Sequence, residues 1–147
     1  MALQSKIFRY DAELEWTGGR VGVSSAGERP PLAAAPPGDF PGGDDTVWSP
    51  EHLFLSALQS CTLLSFLAHC AHNGVEVVSY RAHTAGELSR RDDDHRYAFT
   101  SVRMTVLCTV AGGHAAAARD LTAKAERDCF VSASTTADIE VDWRIIE

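Results

Sequence analysis

Clusters of basic residues are absent from this sequence. Its 147 residues include 13 Lys and Arg against 20 Asp and Glu, which gives a formal net charge of -7. Proteins that bind nucleic acid usually present a basic patch to the phosphate backbone, and no run of Lys or Arg provides one here. The composition therefore predicts no nucleic-acid partner.

Long uninterrupted apolar runs are also lacking. We expect that no segment approaches the roughly 20 apolar residues that a membrane-spanning helix needs. The first residues, Met1–Lys6, lead into alternating polar and apolar residues and lack the apolar core of a signal peptide. We therefore expect a cytoplasmic protein without a membrane partner, in a compartment where thiols stay reduced.

Cysteine occurs only four times, as Cys61, Cys70, Cys108 and Cys129. These residues form no C-x-x-C pair and no zinc-finger spacing, and they are too few and too far apart for a disulfide scaffold. His69 and His72 flank Cys70, but adjacent helical positions diverge by about 100° and no fourth ligand is suitably spaced. The sequence predicts no metal site, and catalytic, redox or simply buried thiols remain.

Length and composition indicate one globular domain over residues 1–147. Single domains commonly contain about 100–150 residues. The chain is 45% hydrophobic and 22% charged, which is ordinary for a globular protein. A chain of this length buries roughly 68–70% of the surface that it exposes when unfolded, so it can hold a core without crosslinks.

The N-terminal third is predicted to contain short strands and a loop. Residues 6–16 alternate well enough for a strand, 17–20 are typical of a turn, and 21–23 form a second short strand. Residues 26–46 are rich in Pro, Gly, Ala and Asp and show no periodicity. We predict a long ordered loop there, of a kind that often has a function.

The clearest predicted element is a long helix that begins after Ser49. Ser49 is a good N-cap, Pro50 suits the first turn, and Glu51 favours the positive end of the helix dipole. Asn73-Gly74 provides the stop. Apolar side chains cover every face between these ends, which is typical of a buried helix. Since one domain can hardly enclose a helix roughly 36 Å long, we expect a partner subunit to cover part of it.

The C-terminal half is predicted to contain a hairpin, a helix and a strand. Strands near residues 75–89 and 96–110 are joined by a charged turn at 90–95. An Ala-rich helix follows at about 113–127, and residues 138–146 form the last strand. The order of strands, long helix, hairpin, helix and strand predicts an α+β fold.

Four stretches of the chain carry a family resemblance. They are Trp16-Thr-Gly-Gly-Arg20, Trp48-Ser-Pro-Glu-His-Leu-Phe54, Ala57-Leu-Gln-Ser-Cys61 and Ala125-Glu-Arg-Asp-Cys-Phe-Val-Ser132. Each is weak alone, but in this order they resemble the OsmC/Ohr family, named for osmotically inducible protein C and organic hydroperoxide resistance protein. The resemblance extends from about residue 8 to residue 145.

The resemblance implies an OsmC-like α+β fold, in which antiparallel sheets wrap a long buried central helix. It also implies an intertwined homodimer with two active sites at the subunit interface. The implied chemistry is reduction of organic hydroperoxides to alcohols by a cysteine pair, without a metal or a bound organic cofactor. A dithiol reductant, typically a lipoyl group on a protein, would return the electrons.

The resemblance also implies roles for four residues. Cys61 would be the peroxidatic cysteine and Cys129 the resolving one, with Arg20 as the active-site arginine and Glu51 as the acid that holds it. These roles agree with the chemistry. A thiolate is the attacking species, and the permanently charged Arg20 can hydrogen-bond both the thiolate and a peroxide oxygen. Glu51 could hold the guanidinium in a bidentate ion pair.

Apolar neighbours suggest the kind of substrate. Phe54, Leu58 and Phe130 flank the two cysteines in the sequence and are predicted to favour fatty or aromatic hydroperoxides over hydrogen peroxide. Cys70 lies nine residues after Cys61 and would point to nearly the opposite side of the helix. We therefore predict a structural role for Cys70.

Two other functions remain open. The chain could be a non-catalytic dimeric protein of the same fold that binds a small molecule or senses redox state, because buried cysteines are usually packing residues. It could also be a less selective thiol peroxidase of the OsmC branch that accepts hydrogen peroxide. The presence of both cysteines with Arg20 and Glu51 favours an enzyme.

Overall fold

A computed structural model describes residues 5–147. It shows an α+β fold with two three-stranded sheets and three helices in that range. Two compact units are present, one ending at Leu53 and the other spanning Phe54–Glu147, and each is described in turn. The single-domain organisation stays a prediction. The expected lack of a signal peptide concerns residues that lie largely outside the described range.

The first unit contains an antiparallel sheet of three strands. They are β1 (Glu13–Gly18), β2 (Val21–Ser25) and β3 (Leu32–Ala34), in the order β1-β2-β3. The β1–β2 turn is tight because Gly18 and Gly19 adopt φ values of 119° and 55°, which glycine tolerates best. The second predicted strand is confirmed, but the first begins at residue 13 rather than 6. Residues 6–12 alternate in polarity yet are exposed, and within residues 5–18 the partners of β2 lie at Glu13–Gly18.

The predicted loop at residues 26–46 is interrupted by β3. This strand pairs with β2, and its last residue, Ala34, forms a parallel bridge to Trp48. Three residues are too few to show a period of two, so sequence periodicity could not reveal β3. The remainder of the segment consists of turns and irregular backbone.

The central helix, α1 (Pro50–His72), matches its predicted bounds. Its fully buried residues form one stripe with a four-residue spacing: Leu58, Thr62, Phe66 and Cys70. The single chain thus leaves part of the helix uncovered, and its expected coverage by a partner subunit stays a prediction. Leu64, for example, is 64% exposed.

Helix α1 is long and apolar enough to cross a membrane. It has 23 residues, and its mean hydropathy reaches 1.5. The expectation that no segment is long and apolar enough for a membrane-spanning helix is therefore wrong. The mean hydropathy of α1 stays high because its many Leu, Phe, Ala and Cys residues outweigh the scattered Ser and Thr. The buried stripe of α1 packs into the core of the second unit, and core helices commonly have such a composition.

The second unit contains the other sheet. Strands β4 (Val77–Arg90) and β5 (Tyr97–Val110) form the predicted antiparallel hairpin, and β6 (Asp138–Ile146) lies beside β5. The β5–β6 pair is parallel, so the implied all-antiparallel sheet is wrong at this edge. The chain passes through helices between these strands, and such a crossover returns it in the same direction.

Two helices connect β5 to β6. The predicted helix is α2 (Ala115–Arg127), and a single turn, α3 (Phe130–Ala133), was not predicted because four residues show no helical period. The core of this unit combines buried side chains of α1 and α2 with the inward face of β5. The β5 members alternate along the strand: Val102, Met104, Val106, Cys108 and Val110.

Candidate active site

The structure brings Cys61 and Cys129 together. Cys61 lies half-buried on α1, and Cys129 is 1% exposed at the residue preceding α3. Burial raises the pKa of Cys129, and the neighbouring Cys61 thiol raises it further. Two cysteines that are far apart in the sequence are therefore in contact in the fold.

Two donors from the protein approach the Cys129 sulfur. The backbone N–H of Ser132 donates to Sγ at 3.4 Å, and the Thr62 hydroxyl donates at 3.6 Å. Both contacts act against burial and lower the pKa of Cys129. Because a thiolate has no proton of its own to donate, such donors favour the ionised form.

Polar tethers hold the segment before Cys129 against α1. Ser65 Oγ donates to the Ala125 carbonyl at 2.9 Å, and His69 Nε2 lies 2.9 Å from Asp128 Oδ2. Arg127 donates to Asp128 from Nε at 2.8 Å and, with the additional contact to His69, holds the pKa of Asp128 at about 2. Ser65 and His69 are one helical turn apart, so α1 positions Cys129 through consecutive turns.

A groove of about 590 Å³ in the second unit opens onto Cys61. Its lining is mostly apolar or small, with polar groups from α1 and from Asp128. The lining residues are Ala57, Ser60, Cys61, Leu64, Ser65, Ala68, His69, Asp128 and Phe130. Cys61, unlike Cys129, is therefore accessible to a small molecule.

The three predicted substrate-contacting residues are not placed alike. Phe130 lines the groove and is 79% exposed. Leu58 is completely buried in the core, and Phe54 stacks on Phe99 with ring centroids 4.8 Å apart. Of the three, only Phe130 is placed to contact a molecule beside Cys61 in this chain. Sequence pattern alone could not separate core-facing from groove-facing positions near Cys61, because α1 has apolar residues on every face.

Arg20 and Glu51 meet at a pocket of the first unit, with a volume of about 530 Å³. Arg20 Nη1 donates to the Pro41 carbonyl at 2.6 Å, while the buried Glu51 Oε2 has no hydrogen-bond partner within residues 5–147. The expected bidentate ion pair is therefore not formed in this conformation. Gly42 lies against Arg20, and a Cβ atom at this position would come within 2.6 Å of Arg20 Cδ.

Most of the remaining pocket residues come from the segment that was predicted to be a functional loop. Ala34 and Ala35, at the end of β3, line the pocket together with Pro36, Pro37 and Phe40. The carbonyl that binds Arg20 belongs to the same segment. The segment thus shapes the surroundings of the guanidinium.

Cys70 and Cys108 are buried in the core of the second unit. Burial raises the pKa of Cys70 to about 11, with a smaller contribution from Cys108, and also raises the pKa of Cys108. Both thiols therefore stay protonated and act as packing residues at neutral pH. Among residues 5–147, no three His, Cys, Asp or Glu side chains come together as a metal site.

The fold and the paired thiols define a class, that of α+β proteins with two contacting cysteines beside a long central helix. Residues 42–144 match the family model described as OsmC-like protein. Since this match covers more than half of the chain, the protein belongs to the OsmC-like family. The resemblance inferred from the four sequence stretches is confirmed.

Solved structures confirm the fold. An OsmC-like protein of unknown function from Vibrio cholerae has a TM-score of 0.82 at 18% identity, over 96% of this chain and 99% of that one. An organic hydroperoxide resistance protein from Elizabethkingia anophelis has a TM-score of 0.72 at 19% identity, over 97% of each chain. The organic hydroperoxide resistance protein OhrB of Bacillus subtilis has a TM-score of 0.67 at 16% identity, over 94% and 98%. No functionally curated protein matches the sequence.

Proposed function

We propose that this protein is a cytoplasmic thiol peroxidase that reduces organic hydroperoxides to alcohols, in defence against oxidative stress. The observation that carries the proposal is the contact between the Cys61 and Cys129 thiols. Some of the structural neighbours are named organic hydroperoxide resistance proteins, which supports the same activity.

The proposed reaction has two steps at sulfur. The Cys61 thiolate attacks one peroxide oxygen, the O–O bond breaks, and the departing alkoxide takes a proton to give the alcohol. Cys61 is left as a sulfenic acid. The Cys129 thiolate then attacks the Cys61 sulfur, an S–S bond forms and the S–O bond breaks, and the departing hydroxide takes up the proton that Cys129 lost on ionising to give water. A dithiol reductant, such as a protein-bound lipoyl group, reduces the disulfide and is itself oxidised.

The unequal exposure of the two thiols suits these roles. Cys61 faces the groove, where a peroxide can reach it, whereas Cys129 is shielded from solvent. A buried resolving thiol that already contacts its partner can close the disulfide before a second peroxide oxidises the sulfenic acid. The exposed ring of Phe130 and the apolar groove wall favour organic over inorganic peroxides.

We also propose that Arg20 assists the Cys61 thiolate, as the family resemblance implies, and that Glu51 is its ion-pair partner. Both side chains line one pocket, and the unpartnered Glu51 Oε2 is a strong acceptor for a guanidinium. Release of Arg20 from the Pro41 carbonyl would free it for this pair.

We further propose a homodimer. Large apolar side chains are exposed on the single chain, including Leu64 of α1 at 64% and Trp16 of β1 at 74%. Extended exposure of this kind commonly marks an interface. Sedimentation equilibrium should give twice the chain mass of 15.9 kDa. A particle of one chain mass at micromolar concentration would contradict the dimer.

Thiol counting tests the proposed function directly. The reduced protein is treated with one equivalent of cumene hydroperoxide, free thiols are counted, and any disulfide is located by peptide mapping. We expect the loss of two of the four thiols and a Cys61–Cys129 disulfide, with slower oxidation by hydrogen peroxide. Retention of all four thiols with the hydroperoxide unconsumed would rule out the enzyme and favour a binding protein of the same fold.

A further inference from the structure

Thr62 is a buried polar residue that the two-cysteine mechanism does not use. It follows Cys61 on α1, belongs to the buried stripe of that helix and is 2% exposed. Its hydroxyl donates to the Leu58 carbonyl at 2.9 Å and to the Cys129 sulfur at 3.6 Å. A polar side chain at a core position therefore contacts one of the two reacting sulfurs.

We propose that Thr62 is a further catalytic residue, whose hydroxyl donates a hydrogen bond to the Cys129 sulfur as it becomes the thiolate that closes the disulfide. This inference rests on the proposed function. It assigns Thr62 to the second step alone, in which the S–S bond forms, because its hydrogen bond goes to Cys129 and not to Cys61.

A hydroxyl has one proton, so the two acceptors of Thr62 compete for it. The Leu58 carbonyl lies four residues earlier in a helix and can also accept the backbone N–H of Thr62. It therefore keeps a donor when the hydroxyl turns to the sulfur. Water cannot supply a hydrogen-bond donor to ionised Cys129 in the same way, because Cys129 is only 1% exposed. When the Thr62 hydroxyl turns its hydrogen bond from the Leu58 carbonyl to the Cys129 sulfur, little free energy is lost at the carbonyl, and the thiolate is stabilised.

The surroundings of Cys129 leave few other donors for this purpose. The Ser132 N–H also donates to the sulfur, but it belongs to the backbone and is held by the α3 turn. Thr62 is the side chain that donates to this sulfur among the described residues. Hydrogen bonds to ionised groups are stronger than those to neutral ones, so the loss of this donor affects the thiolate more than the resting thiol.

Two matched pairs of variants separate the hydroxyl from its packing. Thr62 and Thr62→Val have nearly the same shape, as do Thr62→Ser and Thr62→Ala, and within each pair only one member has the hydroxyl. Each protein is mixed rapidly with one equivalent of cumene hydroperoxide. Peroxide loss, trapped Cys61 sulfenic acid and Cys61–Cys129 disulfide are then followed in time by quenching and mass spectrometry.

In both pairs we expect peroxide loss within about twofold and disulfide formation about tenfold slower or more without the hydroxyl, with sulfenic acid accumulating. Equal rates of disulfide formation within each pair would overturn the role of Thr62. If the rates are equal within each pair but differ between the two pairs, they follow side-chain size, and Thr62 acts through packing instead. If the parent protein consumes no peroxide, the proposed function itself is overturned, and this inference with it.

Discussion

Replacement of Cys61 by serine is expected to abolish hydroperoxide turnover, with a loss of roughly 10³-fold or more relative to the parent. A serine hydroxyl is not ionised at neutral pH and is a poor nucleophile towards the O–O bond without an adjacent base. The groove and the tethers of α1 stay in place because the change is one atom at a half-buried site. Consumption of cumene hydroperoxide, followed with a lipoyl dithiol as reductant, measures the effect.

The matched control is Cys70→Ser, the same substitution at the other cysteine of α1. Cys70 is buried in the core, and burial raises the pKa of its thiol to about 11, so it is not a nucleophile at neutral pH. We expect this variant to retain turnover, with some loss of stability from the buried hydroxyl. A dead Cys70→Ser protein that is still folded, beside an active Cys61→Ser protein, would show that the nucleophile has been assigned wrongly.

Replacement of Cys129 by serine is expected to separate the two steps of the reaction. Cys61 can still attack the first peroxide, so one equivalent is reduced at close to the parental rate. The sulfenic acid then persists, because no thiol lies in contact with it to form a disulfide. The serine hydroxyl can still accept the Ser132 N–H, which keeps the start of α3 intact.

Trapping with a dimedone reagent and intact-mass spectrometry detects the accumulated sulfenic acid. We expect one labelled site per chain at Cys61 in Cys129→Ser and little labelling in the parent, where the disulfide forms first. Cys61→Ser is the matched control and should show no label. Sustained turnover of Cys129→Ser with a lipoyl dithiol at the parental rate would contradict the resolving role of Cys129.

The order of elements was predictable because most of them have strong local signals. The ends of α1 are marked by Ser49, Pro50 and Asn73-Gly74, and the structure has them at the predicted places. The hairpin was found because two long strands flank a charged turn. The errors fall on β3 and α3, which contain three and four residues. Strand β3 depends on its pairing with β2 and α3 is a single turn, so neither is long enough to show a periodicity of its own.

The candidate site was predictable only as a set of residues. Four sequence stretches pointed to Cys61, Cys129, Arg20 and Glu51, but neither the hydrogen bond of Arg20 to Pro41 nor the unpartnered Glu51 oxygen has a local signature. The core position of Leu58 was also missed, because an α1 that is apolar on every face gives no indication of which stripe turns inward.

Thr62, His69 and Asp128 were missed for a different reason. His69 lies eight residues after Cys61, which places it near the same face of α1, and this spacing was the one available signal. Its partner Asp128 is distant in the sequence, as is Cys129, the partner of Thr62. Nothing in a single sequence marks such pairs.

The sequence by itself determined the α+β class, the long central helix and the family, because these depend on capping residues, periodicity and short motifs that are local in the chain. Tertiary structure decided which face of α1 is buried, the parallel pairing of β5 with β6, and the contact between Cys61 and Cys129. It also decided how exposed each thiol is and which donors reach it. These features depend on contacts between distant segments, and such contacts form only when the apolar core of the second unit brings α1, β5 and the segment after α2 together.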